Sequence, residues 1–156
     1  MRHLQLLPLL FLFLCQSINA QDTKQTDEDE KNLQIVEMAD KELKESIAKT
    51  KDSLLCYDGY FRVLDEEMSS VYAAVHKKLS PAKQEELDKS QGVWQQNKYI
   101  VYSKNYMDFK KKFPDGNASN PLPHQRSQLM KGYRTSALHA RKRMVYLLSL
   151  IGRKPE

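Results

Sequence analysis

From Leu33 to Val75, apolar residues recur at alternating steps of three and four: Leu33, Val36, Leu43, Ile47, Leu54, Tyr57, Phe61, Leu64, Met68, Val71 and Val75. Only Asp40 and Thr50 interrupt the stripe. A period close to that of the α-helix sets these side chains along one face, and such a face has to be buried against a neighbouring helix. Gly59 lies inside the run and costs about 1 kcal/mol relative to Ala in a helix, so a bend or break is expected between Asp52 and Gly59. Whether the segment forms one helix or two in register stays open.

Ser80-Pro81 closes this segment and opens the next, because Ser suits the N-cap and Pro the first turn, where its missing N–H is not needed. Leu87, Gln91, Trp94 and Val101 continue the spacing, flanked by Tyr99, Tyr102, Tyr106 and Phe109, and this helix is expected to reach about Phe113. Residues 114–123, PDGNASNPLP, are turn chemistry and predict a loop, with Asn117-Ala118-Ser119 forming a glycosylation acceptor pattern. From about Gln125 to Ile151 a third stripe follows, made of Leu129, Tyr133, Ala137, Ala140, Met144, Leu147, Leu148 and Ile151, with Gly152 as a stop. No strand-like alternation competes, so the expected fold is all-α, an antiparallel bundle of three or four long helices.

The two ends have other roles. Residues 1–20 run from Arg2 through an apolar stretch, Leu6 to Cys15, to polar residues ending at Ala20, the order of a secretory signal. That apolar run is shorter than the about 20 residues a bilayer requires, so no membrane span is expected. Phe13 and Leu14 precede Cys15 where lipoprotein processing needs a small residue, which argues against a lipid anchor. Cleavage after Ala20 removes 20 of the 156 residues, leaves 136, and takes Arg2 with it, so the formal net charge falls from +5 to +4. Such a length suits one domain. Residues 21–31 are acidic and almost free of apolar side chains, which predicts a disordered tail ahead of a single domain at 32–156. The exported product would be periplasmic or secreted. Cys56 alone then remains, so an intramolecular disulfide is excluded; it is either a buried, inert thiol or the link of a disulfide-bonded dimer.

Catalytic patterns are sparse. Ser46-Ile47-Ala48-Lys49 and Ser80-Pro81-Ala82-Lys83 match S-x-x-K, but neither K-T-G nor S-D-N completes that site, and helical charge patterning accounts for both. His76, His124 and His139 stand apart, with no H-E-x-x-H and no paired cysteines to suggest zinc, and no phosphate-binding loop occurs. Asp65-Glu66-Glu67 and Glu85-Glu86 fall where a solvated helix face needs charge. The reading is a protein without catalytic residues, cofactor or metal. Two features could bind. His139-Ala140-Arg141-Lys142-Arg143 is a basic run that an anionic envelope polymer or lipid head group would suit better than nucleic acid in an exported protein, although cations near a helix C-terminus explain it as well. The aromatic set Trp94, Tyr99, Tyr102 and Tyr106 is read mainly as packing, with Trp94 an anchor between helices and Gln91 a half-buried amide in need of a partner.

Around Trp94 the chain resembles the LprI-like family of exported bacterial proteins, named for a lysozyme inhibitor. The resemblance rests on Met68-Ser69-Ser70-Val71-Tyr72, Leu79-Ser80-Pro81, Leu87, Ser90-Gln91 and Trp94, and on a late pair, Arg143 and Leu147. Tyr72, Leu87, Gln91, Trp94, Arg143 and Leu147 are the motif positions, expected to be mainly structural. Lys98-Tyr99 stands where the family tends to have R-D, Tyr102 where a cysteine is expected, and Cys56 where the family often has half of a disulfide. The resemblance implies an exported protein that inhibits lysozyme by occluding its cleft and performs no reaction. Lys98, Tyr99, Arg141, Lys142 and Arg143 are the candidate interaction surface. A chain of charge +4 lacks opposite-charge steering toward basic lysozymes, so acidic surface near Asp65 to Glu67 or the tail would have to dock. The other reading is an envelope adaptor module that binds another exported protein or an anionic polymer.

Overall fold

The computed structural model describes residue 27, residues 29–50 and residues 52–155. Expectations for the signal segment and for most of the acidic tail fall on residues 1–26, outside the described residues. Among the described residues a helical stretch at 29–33 is followed by α1 (Ile35–Lys49), α2 (Ser53–Glu66), α3 (Met68–Lys77), α4 (Pro81–Lys112) and α5 (Pro123–Ser149). No strand occurs among the described residues. A single residue, Glu67, separates α2 from α3 at φ −84° and ψ −5°, and its N–H still reaches the Val63 carbonyl, so the two form one slightly broken rod.

The chain breaks ahead of the interval between Asp52 and Gly59 where a break was expected: Lys49 ends α1, Thr50 is extended, and Asp52 caps α2 by accepting from the Leu55 N–H. Gly59 lies within the unbroken α2. Ser80 takes the extended N-cap conformation with Pro81 in the first turn, while its side chain makes no cap hydrogen bond. Gly152 ends α5 at φ 79°, a conformation that L side chains resist, and the Arg153 N–H closes on the Leu148 carbonyl.

Cross-helix contacts fix the directions. Gln91 meets Arg143 while Asn105 meets Gly132, so α4 and α5 are antiparallel. Asp88 meets Tyr72 and Tyr102 meets Asp65, so α4 also runs against the α2–α3 rod. Arg126 meets Asp52 and Tyr133 approaches Phe61, so the rod and α5 are parallel. Tyr60 meets Asp40 and sets α1 antiparallel to α2. The result is the expected antiparallel bundle of four rods, with α5 in contact with every other helix. Ala137 and Ala140 on α5 are fully buried, and their small side chains let the α2–α3 rod approach closely.

The main core joins Val36, Leu64, Met68, Val71, Val75, Leu87, Met144, Leu147 and Leu148, all 3% exposed or less. A smaller core at the loop end gathers Leu54, Phe109 and Leu129. There Gly116 allows the loop to fold over Phe109, because a Cβ at this position would come within 3.0 Å of the Phe109 ring and 2.9 Å of the Phe113 Cβ. Residues 29–33 are helical, and Asp29 and Glu30 pair with Lys77, Lys78 and Arg153. The last residues of the acidic segment are therefore docked on the basic end of α3.

Candidate functional site

Three side-chain clusters gather around one stretch of α5, at Arg143, His139 and Arg141. In the first, the Arg143 guanidinium, on a residue 8% exposed, donates from Nε to Gln91 Oε1 at 2.8 Å and from Nη2 to Ser90 Oγ at 3.0 Å. It also stacks over the Tyr146 ring at 4.9 Å. Burial lowers the Arg143 pKa, but an arginine remains charged, and its neutral partners spread that charge. Beside it the Tyr72 hydroxyl donates to Asp88, which His76 also approaches at 3.2 Å, and burial followed by this carboxylate pushes the phenol up to about 12. Of the motif positions, Leu87 and Leu147 are core residues, Gln91 has its partner in Arg143, and Tyr72 and Trp94 pack against the same core. The six belong to one structural neighbourhood.

The second cluster is aromatic. Trp94 stacks on His139 at 5.8 Å with 10° between planes, Tyr102 meets Phe61 edge to face at 4.9 Å, and Phe61 approaches Tyr133 at 6.4 Å. Lys98 lies between two of these rings, 5.7 Å from Trp94 and 5.4 Å from Tyr102, and its Nζ pairs with Asp65 at 2.6 Å. Tyr102 donates to the same carboxylate at 3.3 Å, and burial with that neighbouring charge raises its pKa. Trp94 Nε1 and His139 Nε2 are buried without a hydrogen-bond partner. Burial first, and the Lys142 charge second, lower the His139 pKa and favour the neutral ring.

In the third cluster Asp40, one of the two residues that interrupt the first stripe, is held by Arg141 through Nε at 2.9 Å and Nη2 at 2.5 Å, and accepts from the Tyr60 hydroxyl. The Tyr60 pKa rises through burial and this carboxylate, while that of Arg141 rises through its hydrogen bond to Asp40. The candidate surface read from sequence is thus divided. Arg141 is tied to Asp40, Arg143 is buried and Lys98 is held by Asp65, which leaves Lys142 and Tyr99 facing outward, Tyr99 at 70% exposure. Arg141 to Arg143 do not form one basic face.

Two of the cavities among the described residues are lined by side chains of these clusters. One of about 260 Å³ separates α1 from α2 and is lined by Leu43, Cys56, Gly59 and Tyr60, with the free thiol half-buried. The other, about 140 Å³, opens between α2, α4 and α5. Phe61, Tyr102, Tyr106 and Tyr133 give it ring walls, and Asn105 and Ser136 lie among its lining residues. Asn105 Nδ2 donates to the Gly132 carbonyl at 3.2 Å and to Ser136 Oγ at 2.8 Å, which fixes this side of the cleft. Tyr106 is 54% exposed. The sequence does not mark Asn105 and Ser136 as lining residues, because the contact of this amide with Gly132 and Ser136 joins positions 27 and 31 residues apart. The Asn117 acceptor is exposed, and its side chain accepts from the Ser119 N–H at 2.9 Å.

Among the described residues no group of three or more His, Cys, Asp or Glu side chains is placed to hold a metal ion. No described helix is long and apolar enough to cross a membrane. Comparison with protein families, with characterised proteins and with solved structures gave no match. The fold itself defines the class, an all-α antiparallel bundle.

Proposed function

We propose that this chain is an exported helical binding protein that acts by occlusion, with a muramidase as the target that its LprI-like resemblance implies. The observation that supports a protein partner is the ring-walled cleft between α2, α4 and α5, with the exposed Tyr106 among its lining residues. Protein interfaces concentrate their affinity in a few anchors seated in desolvated pockets, and tyrosine is enriched there. A volume of about 140 Å³ suits one apolar or aromatic side chain of a target. Positive net charge gives no steering toward a basic lysozyme, so the affinity has to come from such short-range contacts. The anionic-polymer reading leaned on Arg141 to Arg143 and loses support, since Arg141 serves an ion pair and Arg143 the core.

The test is clearing of cell-wall suspensions by chicken-type, goose-type and invertebrate-type lysozymes in the presence of the purified protein. Clearing of at least one should slow in proportion to concentration, and Tyr106→Ala should weaken the inhibition about tenfold or more. No effect on any of the three enzymes would sink the muramidase reading. Equal potency of the variant would remove the cleft from it.

A further inference from the structure

Helix α4 is apolar on two opposite sides, and the bundle uses only one. Leu87, Gln91 and Phe109 face the interior. Val93, Ile100 and Met107 are 59%, 65% and 63% exposed. At 3.6 residues per turn, Val93 and Met107 lie within roughly 20° of Ile100 around the helix axis, whereas Gln91 and Phe109 lie about 180° away. Spacing of seven residues makes the three a straight seam about 21 Å long, with Gln96, Asn97, Ser103 and Lys104 between them. Tyr106, which lines the cleft, is about 120° from Ile100 on the same helix, so the seam and the cleft occupy different faces.

Charge along α4 selects the occupant. Glu85, Glu86 and Asp88 precede the seam, and Lys110, Lys111 and Lys112 follow it. Glu86 and Lys111 fall on the seam side, within roughly 40° of Ile100. Lys89 and Lys104, also near the seam, already pair with Glu85 and Asp108 along the helix at 2.6 and 2.7 Å. A second copy of α4 laid antiparallel about Ile100 sets Val93 against Met107 of the other copy and brings the acidic start of each helix to the basic end of its mate. Parallel pairing would place lysine on lysine and glutamate on glutamate.

We infer that the Val93–Ile100–Met107 seam is a self-association surface, and that two copies of this chain pair through it with their α4 helices antiparallel. The contact is symmetric, as closed dimer interfaces are, and Ile100 sits at its centre. It is independent of Cys56, which lies between α1 and α2.

The full chain, carrying Ser at Cys15 and Cys56 so that no native thiol contributes, is to be weighed by sedimentation equilibrium from micromolar to millimolar concentration. A dimer is expected, and Ile100→Glu should weaken it about tenfold or more while leaving the helical circular dichroism unchanged. A monomer throughout overturns the inference, as does a dimer indifferent to Ile100→Glu. Disulfide trapping tests direction without relying on that variant. A mixture of Val93→Cys and Met107→Cys chains should cross-link efficiently, and Val93→Cys alone should not. Efficient linking by Val93→Cys alone would establish a parallel pair and overturn the antiparallel one. A monomer that instead sediments with vesicles of anionic lipid would assign the seam to a membrane surface, which also overturns it.

Discussion

Replacing Asp40 by Ala takes a carboxylate from between Tyr60 and Arg141 and removes the group that holds the guanidinium through both Nε and Nη2. The Asp40 and Arg141 side chains keep 15% and 27% of their exposure. The loss is therefore expected at about 2 kcal/mol, below the roughly 3–5 kcal/mol of a fully buried pair. It should read as a lower urea midpoint with an unchanged slope. His139 brings a dependence on pH. Its folded pKa is lowered by burial and by Lys142, so below about 6.5 the unfolded chain binds more protons than the folded one. Stability from this residue is present above that value and is lost as pH falls toward the folded pKa. The melting temperature should decline from about pH 7 to about pH 5, and His139→Phe, which keeps a ring against Trp94, should flatten the decline. An identical slope in the variant would show that other groups titrate there. Asp40 was visible in the sequence as a break in a stripe, but its partner 101 positions later was read together with Lys142 and Arg143 as one patch. Helical geometry forbids that reading, because three consecutive positions spread over about 200° around the axis.

Element boundaries follow local chemistry, and the sequence carried most of them. Apolar spacing, Ser80-Pro81, the 114–123 loop and Gly152 located three of the helical stretches to within a few residues. The break at residues 50–52 was displaced toward Gly59 in the sequence reading, because a glycine in a helical stripe signals weakness without saying whether neighbouring helices will hold it straight. They do, and the space beside it is empty: a Cβ on Gly59 would meet nothing within 4 Å. Gly59→Ala is accordingly expected to stabilise the protein by about 0.5–1 kcal/mol, measured as a raised urea midpoint. The cleft was not legible for a different reason. Its walls come from three helices, and the ring positions on α4 follow the same period as its core, so spacing alone cannot separate packing tyrosines from Tyr106 at the solvent edge.

At the scale of the whole molecule, α5 holds the arrangement together. It touches every other helix and contributes Met144, Leu147 and Leu148 to the main core and Leu129 to the smaller one. The all-α class was legible because each stripe has a helical period. The central place of the last stripe was not, since periodicity shows that a face is buried but not against how many neighbours. A chain ended after Arg143 loses those three core side chains and should show no cooperative thermal transition, whereas removal of residues 1–26 should leave the transition in place.

The position of α5 also sets the order in which the protein can take shape. Four helices leave the ribosome before the one that joins them, and until α5 arrives each presents an apolar stripe with no completed core to receive it. The faces of α1 to α4 that pack on α5 therefore have no partner until that helix is made, and the described bundle closes only with it.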